Sequence, residues 1–478
     1  MPLVIPLAKH GGPLFRQVYA GLRDTILSGA IAAGEQLPST RHLAEQLGVS
    51  RTVVLLAYEH LLAEGFVEGH HGSGTYVSQG LETGKSRGAE DQARLRLSRF
   101  GRSAAVTAGR VSYPARSTPA LRYDFAYGRS DVEVFPFERW RRILLKRARK
   151  ASVRDLDYGS RAGSLALREA ISAHLRRSRA VVCDPSQVIV VNGSQQALDL
   201  VTRLLVERGD PVAVEDPQYL GAREVLRAAG SRLHPVPVDR EGMNPARLPE
   251  RARLVFVTPS HQFPTGVILS LPRRLALLEW AKRNNAVIVE DDYDGEFRYE
   301  GQPLESLQGL DTQGRVIYVG TFSRTVFPAL RLGYLIAPKS LAPAFKAAKW
   351  LSDRHSAILE QQTLAEFIAS GMYERHLRRL RRRNAARRAA LLQAIHKFLG
   401  DRVEITGDGA GAHVVMWPDK RLSEDTIITR AAAQGVGVYG ISNYFLKRPP
   451  RTGVMLGYSR MKEEEIREGI RRLGQVLV

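Results

Sequence analysis

The chain has 478 residues, more than the roughly 250–300 that a single hydrophobic core usually fills, so two or more domains are expected. Hydrophobic residues make up 44% and charged residues 25%, the balance of soluble globular protein. No apolar run approaches the roughly 18–20 residues of a membrane helix. The start, MPLVIPLAKHGG, is too short in its apolar stretch for a secretory signal. The single cysteine, Cys183, excludes a disulfide framework and a cysteine-based zinc site. A cytoplasmic protein without a metal centre is expected.

The net charge of +21 suggests a polyanionic partner. Its distribution is uneven. Residues 1–78 carry five basic and six acidic side chains, a net of −1, and residues 79–121 carry a net of +5. The remaining +17 lies in residues 122–478. Charge alone therefore does not place a nucleic-acid site in the first domain.

In chain order, Leu14, Val18, Leu22 and Ile26 fall four apart and predict one amphipathic helix. Ser39 can cap a short second helix carrying Leu43, Ala44 and Leu47, which Gly48 ends. Ser50 can cap a third, with Val54, Ala57, Tyr58, Leu61 and Leu62 inward and Gly65 as its stop. FVEGHHGSGTYVS reads as a hairpin around a glycine-rich tip. Together these make a winged helix-turn-helix. Residues 79–121, rich in Gly, Ser, Ala and Arg, read as a flexible basic linker with room for a short helix near Asp91–Arg99.

The stretch PLFRQVYAGLRDTILSGAIAAGEQLPSTRHLAEQLGVSRTVVLLAYEHLLAEGFVEGHHGSGTYV resembles the DNA-binding domain of GntR-type bacterial regulators along its whole length. The resemblance implies double-stranded DNA as partner. Ser50, Arg51 and Thr52 would open the helix that enters a major groove, Arg41 would contact phosphate or base, and His71 and Gly72 would form the wing tip.

From about Arg122 short β-branched runs alternate with helical segments, which predicts a mainly parallel sheet covered by helices. Ligands in such sheets sit at the carboxyl ends of strands. Here those ends read Asn192-Gly193-Ser194, Glu215-Asp216, Asp291-Asp292-Tyr293 and Thr321-Phe322-Ser323. A smaller unit with strands GAHVVMWP, GVGVYG and GVMLGYS follows from about residue 350.

YGSRAGSLALREAI, NGSQQALDL, EDPQY, TPSHQFPTG, VEDDYDGEFRY and GTFSRTVFPALRLGYL together resemble the class I, fold-type I aminotransferases, which use pyridoxal 5'-phosphate. The order winged helix then aminotransferase matches the MocR/GabR subgroup of GntR regulators. The implied architecture is an α+β winged helix at 1–78, a linker at 79–121, and at 122–478 an α/β fold-type I domain with a smaller C-terminal α+β subdomain. The whole of 122–478 would supply dimerisation and effector sensing.

The resemblance assigns Ser194 and Gln195, at a strand-to-helix turn, to the cofactor phosphate, with Thr321, Ser323 and Arg331. It assigns Asp291 to the ring nitrogen, Tyr293 to the phenolic oxygen and Tyr219 to stacking on the ring. Tyr158 would reach the phosphate of a partner subunit.

One departure outweighs these matches. Arg324 stands where the family carries the lysine that binds the cofactor covalently, and Lys339 is the next lysine along. A guanidinium keeps its proton and is no substitute nucleophile. Met455 replaces the usual substrate-carboxylate arginine, with Arg451 off register, and Phe263 replaces the asparagine of NPTG. No catalytic residue is expected, and pyridoxal phosphate is expected to bind non-covalently at most, or to give way to another anionic effector. The rival reading is an active transaminase with an appended DNA-binding module; a third is a DNA-binding protein whose second domain only dimerises. The run RHLRRLRRRNAARR, Arg375–Arg388, has eight arginines at helical spacing and reads as a solvated helix, with DNA contact as the alternative.

Overall fold

The computed structural model describes residues 5–8, 12–70, 72–79, 81, 96–108, 121–128, 130–299, 304–418 and 422–477. His71 and residues 91–95 lie outside them. The chain divides into two compact units at Arg96/Leu97.

The first unit is a winged helix: α1 (Leu14–Leu27), α2 (Thr40–Leu47), α3 (Arg51–Ala63), then β1 (Val67–His70) paired antiparallel with β2 (Gly74–Val77). Val18, Leu22 and Ile26 of α1 meet Leu43 of α2 and Val54, Ala57 and Leu61 of α3 in one core. Leu14 and Leu62 depart from expectation and are exposed. Leu14 opens α1, ahead of the turns that pack, and Leu62 follows the buried Leu61 onto the outer face. Ser39 caps α2 by accepting from the His42 amide at 3.2 Å, and Gly48 closes it in the left-handed region at φ 65°. Ser50 occupies the N-cap position of α3, yet its side chain makes no capping bond.

The second unit opens with α4 (Arg99–Ala108), which begins where the helix expected at 91–99 would end. Then follow β3 (Tyr123–Asp124), α5 (Phe137–Arg149), α6 (Val153–Leu156), α7 (Leu165–Arg179), β4 (Val188–Val191), α8 (Ser194–Leu205), β5 (Pro211–Asp216), α9 (Leu220–Ala229), β6 (Arg232–Asp239), β7 (Gly242–Met243), β8 (Leu254–Val257), α10 (Leu271–Arg283), β9 (Val287–Asp292), α11 (Leu307–Leu310), β10 (Val316–Thr321) and β11 (Gly333–Ile336). Eight strands form one sheet in the order β4-β11-β10-β9-β8-β5-β6-β7. Strands β10, β9, β8, β5 and β6 run parallel. β11 runs antiparallel between β4 and β10, and β7 antiparallel beside β6, so the sheet is mixed. Burial on both faces explains the unbroken apolar runs VIVV, LVFV and VIYV.

Helices α12 (Ala342–Asp353), α13 (Ile358–Ala369) and the long α14 (Met372–Phe398) come next. After them β12 (Val403–Thr406), β13 (His413–Pro418), α15 (Glu424–Ala433), β14 (Val436–Gly437), β15 (Tyr439–Gly440), β16 (Val454–Gly457) and α16 (Glu463–Val476) build the smaller subdomain. Its four-stranded sheet runs β12-β13-β16-β15, and β14 pairs with β3. Leu364, Phe367 and Leu377 still belong to the core under the large sheet, while the small core takes in Leu391 onward together with Tyr123 and Phe125. No helix among the described residues is long and apolar enough to cross a membrane.

Candidate DNA-binding face and ligand pocket

In the winged helix, Arg41, Arg51, Thr52 and Gly72 are all exposed. Arg51 Nε donates to Thr40 Oγ1 at 3.3 Å, which ties the start of α3 to the start of α2. Among the described residues Arg41 holds only a solvent-exposed contact to Glu45 at 3.3 Å, a kind of pair that gives way readily to a phosphate. One turn beyond Arg51 and Thr52, Leu55 and Leu56 are also exposed. They were missed in the sequence because their apolar character reads as core. Both side chains face solvent on α3. The wing turns at Gly72, φ 76°, and Gly74, φ 119°, backbone that L residues rarely adopt. Gln36 braces it by donating to the Ser73 carbonyl at 2.7 Å.

In the second unit the carboxyl ends of β4, β5, β9 and β10 converge as expected. At the end of β4, Gly193 (φ 85°) turns the chain into α8, whose first residue is Ser194. Arg331 comes to this turn from the loop just before β11, the strand paired with β4: its Nη2 donates to the Asn192 carbonyl at 3.0 Å. A Cβ on Gly193 would lie 2.8 Å from that guanidinium, so glycine is required for the approach. Arg331 itself sits in the left-handed region at φ 51°, a strained position of the kind found at functional sites. Thr321 Oγ1 donates to Ser323 Oγ at 3.1 Å and accepts from the Ser323 amide at 3.1 Å. Helix amino-terminus, hydroxyls and guanidinium are the groups that would make a cradle for a phosphate. The Gln195 side chain faces elsewhere, donating to the Gly221 carbonyl at 3.1 Å; only its amide belongs to the helix start.

Asp291, near the end of β9, is buried and its Oδ1 has no hydrogen-bond partner among the described residues. Burial, aided by the charges of Asp292, Asp294 and Glu215, pushes its carboxyl up to about 8. An orphaned buried carboxylate beside a phosphate cradle suits a protonated ring nitrogen. The residues present therefore fit pyridoxal phosphate: Asp291 for the ring nitrogen, the cradle for the phosphate. Bound there, the cofactor would supply an electron-withdrawing aromatic ring.

Around this point the aromatic rings gather on Phe263. Tyr127 lies 5.2 Å from it, Tyr444 5.1 Å, Tyr293 5.8 Å and Tyr219 5.9 Å, centroid to centroid. Tyr293 Oη is 3.0 Å from His261 Nδ1, which is also 3.1 Å from Asp294 Oδ2. Arg324 lies partly buried with its guanidinium carbon 4.1 Å from the Tyr127 ring centroid. Desolvation opposes its charge, but Tyr127, Asp294 and Tyr293 outweigh that and raise its pKa. Arg324 remains a cation.

His413 completes the wall, 4.5 Å from the Tyr127 ring, with its Nε2 on the Pro264 carbonyl at 2.8 Å. Burial holds it neutral, well below the ordinary imidazole value. The ligating atoms of His261, Asp294 and His413 lie within 4.8 Å of one another; the nearby charge of Arg324, which depresses His413 further, opposes a cation there. Tyr127, His261, Asp294 and His413 were not singled out from sequence. His261 and Asp294 stand within two residues of Phe263 and Tyr293, which was the signal available.

The other two departures are visible as packing. Met455 is buried beside Val415, Trp417, Ile441 and Phe263. Arg451 is occupied, bridging to Glu404 and lying 4.2 Å over the Trp417 ring. The buried Lys349 is likewise committed, to Asp353 and to Ser356 Oγ at 3.1 Å. Tyr158 is 71% exposed, with Arg354 4.6 Å over its ring.

Comparison with known proteins agrees with both units. Residues 14–77 match the family model for bacterial regulatory proteins of the gntR family, and residues 125–473 that for aminotransferase class I and II. The chain is 39% identical over 96% of its length to a probable rhizopine catabolism regulatory protein MocR of Rhizobium meliloti, covering 93% of that protein. It is 35% identical to the HTH-type transcriptional regulator TauR of Rhodobacter capsulatus, covering 98% of each. Among solved structures, the alpha-aminoadipate aminotransferase LysN of Thermus thermophilus superposes with a TM-score of 0.69 at 30% identity, over 80% of this chain and 98% of that one. Winged helix and fold-type I aminotransferase fold in one chain, with near full-length likeness to such regulators, place this protein in the GntR family of DNA-binding transcriptional regulators, in its MocR-type subgroup.

Proposed function

We propose that the protein is a cytoplasmic, homodimeric regulator whose aminotransferase-like body senses pyridoxal phosphate, or a similar aromatic phosphate, without a covalent bond and without transamination. The observation that carries this reading is Arg324, a permanently charged side chain at the family's lysine position, stacked on Tyr127 within the aromatic wall. Met455 and the engaged Arg451 leave no free guanidinium for a substrate carboxylate on that strand. Asp291 and the Ser194–Thr321–Ser323–Arg331 cradle bind and orient; nothing in that set attacks an aldehyde. The test is dialysis after saturation with pyridoxal phosphate. The ligand should be lost, and borohydride should add no phosphopyridoxyl mass to the natural chain; such a mass would overturn the reading.

DNA recognition falls to residues 1–78, joined by 79–121 to the body at 122–478. Removing the side chain of Arg51 is expected to cost roughly 1–3 kcal/mol if it reads a base, relaxing specificity at one position. A gel-shift titration of Arg51→Ala on the operator with unchanged affinity and salt slope would remove Arg51 from the interface.

The dimer rests on an apolar surface next to Tyr158. Val153 is 84% exposed, Leu156 73% and Leu351 71%, with Trp350 beside Arg354. So much exposed apolar side chain close together marks a protein interface. Leu156→Asp with Leu351→Asp is expected to turn a dimer into a monomer of about 53 kDa. Light scattering that still gives twice the chain mass would place the interface elsewhere.

A further inference from the structure

We propose that His261 and Asp294 are positioning residues of the ligand pocket: Asp294 fixes the His261 ring with a hydrogen on Nδ1, and that hydrogen turns the hydroxyl of Tyr293 outward as a donor to the ligand. The pocket thereby selects, among pyridoxal-type phosphates, those that carry an oxygen acceptor on the ring. This rests on the reading of the site as a pyridoxal phosphate pocket and states what sets its choice of ligand.

Three polar atoms meet at one point. His261 Nδ1 is 3.0 Å from Tyr293 Oη and 3.1 Å from Asp294 Oδ2. An imidazole nitrogen either donates or accepts, whereas a carboxylate only accepts. Asp294 is among the groups that sustain the charge of Arg324, which it does as a carboxylate. A lone pair on Nδ1 would face that carboxylate in a place closed to water, since His261 and Asp294 are each 1% exposed. The neighbours therefore assign the hydrogen to Nδ1. The other ring nitrogen meets only the Gly407 carbonyl, at 3.4 Å, a long contact that the charge-assisted bond to Asp294 outranks.

The consequence falls on Tyr293. Its oxygen takes a share of the Nδ1 hydrogen, and its own hydrogen is left for another acceptor. Tyr293 follows Asp291 by two residues at the end of β9, the spacing that puts two side chains on one face of a strand. The donor thus belongs to the side of the strand that carries the orphaned Asp291 carboxyl. The imidazole is held where it is. Gly411, at φ 75°, closes over the pair: a Cβ there would strike the His261 ring and lie 2.7 Å from Asp294 Oδ2. The Gly411 carbonyl is fixed in turn by the hydroxyls of Tyr299 at 2.7 Å and Tyr458 at 2.9 Å. A site built to donate to a ligand oxygen rejects the analogue that lacks it, because its own hydroxyl is then left unpaired.

The test is calorimetric titration of the full-length chain with pyridoxal phosphate and with 3-deoxypyridoxal 5'-phosphate, the same compound without its ring hydroxyl. The parent should prefer pyridoxal phosphate by at least about tenfold, the worth of one hydrogen bond to a charged oxygen. Asp294→Asn keeps the shape, but its amide donates to Nδ1, so the ring hydrogen moves to Nε2 and Nδ1 draws the Tyr293 hydrogen inward. The preference should shrink to about twofold or less while the affinity for the deoxy compound stays at the parental value. Tyr293→Phe should lose the preference as well, and adding Asp294→Asn to it should change nothing further, because Asp294 acts through Tyr293. His261→Gln offers an amide hydrogen in place of the ring's and should keep the preference, a result that does not depend on the Asp294→Asn chain folding. Equal weakening of both ligands in Asp294→Asn would make Asp294 merely structural and overturns the proposal. So does an undiminished preference in that variant, a His261→Gln chain that binds both compounds alike, or a further loss in the double variant. A parent that binds the two compounds equally sinks this proposal alone, whereas a parent that binds neither sinks the reading of the pocket itself.

Discussion

Arg324→Lys is expected to convert a protein that releases pyridoxal phosphate on dialysis into one that retains it through a covalent, borohydride-reducible linkage. The change is all-or-none and is read by mass spectrometry after reduction. The physical reason lies in the two side chains. A lysine amine enclosed by apolar and aromatic groups loses its proton readily and becomes nucleophilic, whereas a guanidinium does not. At position 324 the surrounding wall of Tyr127, Tyr293 and Phe263 supplies that enclosure. The rest of the pocket needs no rebuilding: the Gly193 turn, Arg331 and the orphaned Asp291 carboxyl are already in place. A natural chain that already forms the linkage, or an Arg324→Lys chain that forms none, refutes this account. The second result would show that the pocket holds some anion other than this aldehyde.

The parts of the site that lie at strand ends were legible in the sequence, because a short apolar run followed by a polar cluster marks a carboxyl edge. Thr321, Asp291 and Ser194 fall there for that reason. What was not legible is what depends on distant pieces of chain meeting. Tyr127 reaches Arg324 across almost two hundred residues of sequence, and His413 reaches Tyr127 from the small subdomain. Nothing local announces either contact. Gln195 shows a subtler limit. Its place at a helix start was readable, but its rotamer depends on the Gly221 carbonyl of the next helix. The antiparallel direction of β11 is not readable in the sequence, because GYLI has the same apolar face whichever way it runs. In the winged helix the three-helix pattern was readable from periodicity, while Leu55, Leu56 and Leu62 show that an apolar residue is not always an inward one.

The second large effect concerns Asp291, where binding and stability oppose one another. An aspartate is ordinarily ionised above about 4, and this one is raised to about 8 by burial and by the charges of Asp292, Asp294 and Glu215. Its folded value lies above its unfolded value, so between the two the folded chain holds a proton that the unfolded chain has released. Stability from this group is therefore fully present below about pH 4 and is lost as pH rises through about 8. Each pH unit in that window is worth about 1.4 kcal/mol, for a ceiling of roughly 5–6 kcal/mol, of which a few kcal/mol is expected after the neighbouring carboxyls relax. Asp291→Asn removes the titrating group while keeping its shape. The variant should melt several degrees above the parent at pH 9 and no higher than the parent at pH 4. Glu215, Glu290 and Glu296, each raised to about 7 by burial, remain and keep part of the parental slope. The same substitution should weaken pyridoxal phosphate binding at pH 7.5 by at least tenfold, because the amide cannot take the negative charge that a protonated ring nitrogen needs beside it. The paired readout separates two roles. Higher stability with unchanged ligand affinity would make Asp291 a strained core residue and take the ring nitrogen elsewhere. Lower stability at pH 9 would mean that the carboxyl is ionised and satisfied in the folded chain, and that its orphaned oxygen is not the anchor of the pocket.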